Sequence, residues 1–335
     1  MLPITLALLP LVTLVYLLLF RGTKLLPSAA ITALITLCLV YFYLGISLEQ
    51  ILWSNFKALS LTFDIFLIVF GALLFQGYLK MTGQFSVMIA QLENVTSSRW
   101  MLILVLSWCF GAFLEGISGF GAPAALLGPF LVGLGLLPLE AIVVCLLANS
   151  TAVTFGAMGT PLRVGMAYYI TPELVSMTSF MNLSIGIIIP IMMVHFLRRR
   201  QLAPTHNLSP YLWAIVAGIA FLLPYYGMSF YALEFPTVIG GGVGFFVMIF
   251  ILKIYEKSSF SIKKLLWSFY PYWPVIILLF MGRYFFAGAG IRLPLGSQFS
   301  HTFNFFHPGL ILLSVVLVLG RVELKSFRSL LPVIR

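Results

Sequence analysis

The folding of this chain is constrained first by a succession of apolar stretches, each near the length of a membrane span and divided from the next by a few polar or basic residues. A helix needs about 20 apolar residues to cross the hydrocarbon core. The candidates are Pro3–Phe20, Leu26–Ile46, Ser60–Leu79, Leu137–Gly159, Ser176–Leu197, Ser209–Met228, Pro236–Leu252, Trp267–Phe286 and Phe305–Leu319, with Trp100–Gly135 as a longer, interrupted region. With 61% hydrophobic and only 8% charged residues, a soluble fold is excluded. The expected class is all-α: a polytopic transmembrane helical bundle with broken or re-entrant helices, embedded in the lipid bilayer. Leu2–Phe20 has no basic leader and no small-residue cleavage pattern after it, so it reads as a retained span.

As one straight helix Trp100–Gly135 would be roughly twice as long as the bilayer core, at about 1.5 Å per residue. It therefore folds back, either as a re-entrant hairpin or as two spans, and both options return the chain to the side from which it came. With that parity, fifteen of the nineteen basic residues fall on one side, in the segments 21–24, 80, 99, 198–200, 253–264 and 321–335; Lys57, Arg163, Arg283 and Arg292 are the exceptions. The positive-inside rule makes the richer side cytoplasmic, which puts the N-terminus outside and Arg198–Arg200 and the C-terminus in the cytoplasm. The same reading accounts for the net charge of +10 without nucleic acid as a partner. Gln84–Thr96 reads as an amphipathic interfacial connector.

Gly111 to Arg163 is where glycine, proline, hydroxyl groups, an acid and an arginine interrupt apolar sequence. Backbone leaves the helix at membrane depth only where protein buries it or it lines a cavity, and paired breaks of this kind point to a transporter binding site. The first is Glu115-Gly-Ile-Ser118-Gly119-Phe120-Gly121-Ala-Pro123. Its freed amides, Ser118 and a new helix starting at Ala122 suit an anion, because a helix N-terminus presents N–H donors and partial positive charge; the plain alternative is glycine-mediated helix packing. The second break runs through Asn149-Ser150-Thr151 to Thr160-Pro161, with Arg163 beyond. Its polar groups can serve the same cavity or simply tie helices together, and Arg163 either grips an anionic substrate or snorkels to the outer interface. Glu115 is the leading proton-coupling residue, since an intramembrane acid is by default functional, although it can also serve structurally by holding the freed amides. Asp64 is either a second proton-relay acid or the partner of a basic residue such as Arg163.

Other chemistry finds less support. Gly116-Ile-Ser118-Gly119 matches the G-x-S-G of rhomboid-type proteases, but a serine nucleophile needs a histidine base at its own depth, and His195, His301 and His307 fall at span ends or in loops, as interfacial residues. Cys38, Cys109 and Cys145 lie singly in apolar segments, and no metal or cofactor motif is expected.

The runs FGALLFQGYLKMTG and CFGAFLEGISGFGAPAALLGPFLVGLGLLPLEAIVVCLLANSTAVTFGAMGTPLRVG closely resemble the signature of the lactate permease family, as do Glu234-Phe-Pro236-Thr-Val-Ile-Gly240 and Pro271-Tyr-Trp-Pro274. The resemblance implies a secondary transporter that takes up lactate, and often glycolate, together with protons. Residue by residue it carries over the Glu115–Pro123 and Asn149–Pro161 motifs; Arg163 lies outside them. It also implies a division into residues 1–200 as a first repeat holding the site, and 201–335 as a central region and the start of a second repeat. Family members are longer, with a second polar break. The expectation is therefore a truncated or split member, or a short relative that completes its site by homo-oligomerisation or with a separate C-terminal half; a non-transporting membrane subunit or scaffold is the alternative.

Overall fold

In a computed structural model, which describes residues 2–119, 121–166, 169–205, 208–256, 261–286, 289–295 and 299–322, the chain is almost entirely helical. Among the described residues seven helices are long and apolar enough to cross a membrane: Leu25–Tyr43, Leu48–Met81, Arg99–Ser118, Pro138–Gly165, Pro172–Arg199, Ser209–Ser229 and Pro236–Tyr255. The expected helical class is met.

The chain divides into two compact units. Met1–Phe63 with Ile291–Phe303 holds helix Leu2–Leu19, helix Leu25–Tyr43, the start of Leu48–Met81 and most of a two-stranded hairpin, Gly290–Leu295 and Phe299–Asn304. In this unit the Thr23 hydroxyl closes the first turn by donating to Leu17 O at 2.8 Å and lying 2.6 Å from the Ser28 hydroxyl.

Asp64–Gly290 with Asn304–Arg335 forms the second unit. Its centre is helix Arg99–Ser118, whose apolar window is buried on every side, as an all-round hydrophobic helix must be. Trp108 anchors it by donating its indole N–H to Ala217 O at 3.1 Å and crossing Phe221 edge-on. Glycines bring Pro236–Tyr255 against it backbone to backbone. A β-carbon on Gly241 would lie 2.3 Å from Phe113 N, and one on Gly116 would lie 2.6 Å from Val238 N. Small residues at helix crossings supply van der Waals packing, which lipid cannot replace.

After Ser118 the chain reverses at Gly119 and Gly121 into Ala122–Gly133, as the fold-back argument requires. One end of this unit is tied by polar contacts: Glu256 accepts from Thr96 and from Ser97 N, and Arg200 pairs with Glu140, whose other oxygen accepts from Leu137 N.

Three boundaries differ from the sequence reading. The expected span Ser60–Leu79 is part of a 34-residue helix, Leu48–Met81, because Glu49, Gln50, Asn55 and Lys57 oppose burial in hydrocarbon but not helix formation. Trp267–Phe286 is not one helix: Ile262–Ser268 and Tyr272–Gly282 meet at 70°, with Pro271 at the start of the second, where its missing N–H costs nothing. The last helix is Pro308–Val322, later than Phe305–Leu319, because the hairpin occupies the chain up to Asn304.

Candidate functional site

Gly119 (φ 63°) and Gly121 (φ 77°) occupy positive-φ backbone that residues with a side chain rarely adopt, which is how helix Arg99–Ser118 ends and the next begins within a few residues. The second break contains three successive left-handed residues, Ala157, Met158 and Gly159. Two of them carry side chains, at a cost of about 1–2 kcal/mol each, so neighbouring groups must hold the turn. Thr160 Oγ1 donates to Ala157 O at 2.6 Å and Arg163 Nη2 approaches Met158 O at 3.4 Å. Buried Met158 adds packing.

The two breaks touch. A β-carbon on Gly119 would sit 2.4 Å from Ala157 Cβ, and one on Gly156 would sit 2.7 Å from Glu115 Oε1. Glu115 is 1% exposed; the Asn149 side chain and the Gly121 backbone N–H act on its carboxyl group. Glu115 Oε2 and Asn149 Oδ1 are both buried without a hydrogen-bond partner. Each of these oxygens lacks a donor, which a proton or a ligand can supply.

On the first break a cavity of about 80 Å³ is lined by Ser118, Gly119, Gly121 and Ala125, and across from them by residues of Leu48–Met81, including Gln76. Ser118 Oγ donates to Leu114 O at 2.7 Å, leaving its lone pairs to accept.

The other anticipated residues are distributed as follows. Ser150 is exposed and back-bonds to Leu147 O. Thr151 is buried but lies next to Gly186 of Pro172–Arg199, away from the first break. Thr160 secures the left-handed turn. Phe120 lies outside the described residues. Arg163 pairs with Glu234 at 2.8 Å; Asp64, weighed as its partner, instead has its Oδ1 3.7 Å from Nε2 of His307. His307 is buried within the protein, and its Nδ1 accepts from Gly309 N at 3.3 Å, which leaves Nε2 as the protonated nitrogen of the neutral ring. Gln76 and Glu234 were not singled out in the sequence. Only their places inside FGALLFQGYLKMTG and EFPTVIG offered a signal.

A bundle of membrane-length helices built around two touching helix breaks, with a buried acid at their contact, defines the class: polytopic α-helical integral membrane proteins. The chain belongs to the L-lactate permease family, whose model matches residues 4–264. It is 31% identical over 185 residues to the L-lactate permease of Bacillus subtilis, a match covering 53% of this chain and 31% of that protein. Over 83 residues, a quarter of this chain and 15% of each relative, it is 47% identical to the L-lactate permease and 45% identical to the glycolate permease GlcA of Escherichia coli K12. The chain thus spans about a third of the length of the longer-matching curated relatives. No solved structure matches it.

Proposed function

We propose that this chain carries small 2-hydroxymonocarboxylates, lactate and glycolate, across the plasma membrane together with protons, as the first repeat of an inverted pair with its N-terminus outside. One observation carries the reading: the two breaks meet at Glu115, where two buried oxygens lack a donor. The substrate carboxylate binds at the break beside Gly119 and Gly121, and the Glu115–Asn149 pair takes up the proton that travels with it. The names of the relatives support the substrate class, since both lactate and glycolate permeases are among them.

Uptake of labelled L-lactate into vesicles under an inward proton gradient tests this, with Glu115→Gln as the variant. The expected result is at least a tenfold loss of proton-driven uptake while lactate exchange without a gradient persists. Undiminished gradient-driven uptake removes Glu115 from the mechanism.

A further inference from the structure

We propose that Gln76 reads the substrate's 2-hydroxyl group, so that helix Leu48–Met81 forms one wall of the binding site and sets its choice of hydroxy acid. The inference rests on the carrier reading above and goes beyond it by naming a specificity residue on an element outside both breaks.

Gln76 is 9% exposed and contributes the only polar side chain from its helix to the cavity wall, beside Val69, Ala72 and Leu73. Its amide makes no hydrogen bond to any described residue. Its amide opens onto the cavity, so its hydrogen-bonding groups are available to whatever enters. The amide offers an acceptor oxygen and two N–H donors, which is what a hydroxyl next to a carboxylate demands: one group to accept the hydroxyl proton and others to donate to oxygen. On the facing wall Ser118 Oγ has spent its proton on Leu114 O and can only accept.

Size points the same way. A volume of about 80 Å³ equals roughly two to three waters at about 30 Å³ each. That suits a molecule with a handful of non-hydrogen atoms. Val69 and Leu73 supply the apolar surface for a methyl group such as C3 of lactate, and a neutral amide reads the hydroxyl without adding charge to the wall.

The test compares L-lactate with propionate, which differs only in lacking the hydroxyl. Binding to the purified full chain is measured by calorimetry, with uptake in proteoliposomes as the second readout. Wild type is expected to favour lactate, because a site built around a hydroxyl leaves its own polar group unpaired when the hydroxyl is missing. Gln76→Leu is expected to weaken lactate binding by about tenfold or more and leave propionate within about twofold, so the preference collapses. Gln76→Met, an unbranched replacement, is the check if the leucine variant folds poorly. Retention of the wild-type lactate-to-propionate ratio in a folded variant overturns the role of Gln76 and leaves the carrier reading standing. A wild-type protein that binds none of lactate, glycolate or propionate overturns both.

Discussion

Gly156 shows how closely one atom is specified here. Its backbone is ordinary, at φ −65° and ψ 161°, so alanine fits the conformation; only the space is taken, by Glu115 Oε1 at 2.7 Å. Gly156→Ala should therefore act on the acid rather than on the fold, lowering proton-driven lactate uptake by about tenfold with thermal unfolding shifted by no more than a few degrees. Gly128→Ala, where an added β-carbon meets nothing within 4 Å, is the control and should leave both unchanged. A Gly156→Ala variant with full uptake would show that the Glu115 position is slack. At this scale the sequence was informative where chemistry was out of place: Glu115 in apolar surroundings announces itself. Gln76 does not, because one neutral amide in a long apolar helix says nothing about which face it occupies. The pairs Arg163–Glu234 and Asp64–His307 were illegible for another reason, since each joins residues distant in the chain and only the tertiary fold brings them together.

Among the elements, the breaks were legible and the straight runs were less so. Glycine and proline clustered in hydrocarbon-length sequence mark main chain that cannot stay helical, and both breaks fall where those clusters are. Helix ends are harder to read, because polar residues at a membrane boundary continue a helix as readily as they end one, as Glu49 to Lys57 do. The hairpin of Gly290–Leu295 and Phe299–Asn304 went unread because two six-residue strands between apolar segments leave little periodicity to detect. The contact of Pro236–Tyr255 with Arg99–Ser118 yields a stability prediction. Gly241→Leu drives a side chain into the Phe113 backbone, and overpacking of this kind costs about 1–3 kcal/mol or more. The unfolding midpoint in detergent should fall by several degrees, whereas Gly133→Ala, with open space around it, should not move it. An unshifted Gly241→Leu variant would mean that the two helices do not cross at that glycine.

For the whole molecule, orientation is the property most open to a direct measurement. The basic segment Arg198–Arg200 is expected on the cytoplasmic side. In a background with Cys38, Cys109 and Cys145 replaced, Gln201→Cys should resist a membrane-impermeant maleimide in intact cells and react in inverted vesicles. Labelling in intact cells would reverse the topology. Composition alone made the membrane class legible, since so few charges cannot clothe a soluble surface. The choice between fold-back and two full crossings was not legible, because both return the chain to the same side. Finally, Ala157 sits against Gly119 with no space for an extra methyl group. The two bends are thus wedged together and cannot slide past each other without first separating. Any cycle that exposes the substrate to one face and then the other must either move this wedge as one body or open around it, which makes the helix bearing Gln76 the natural moving wall.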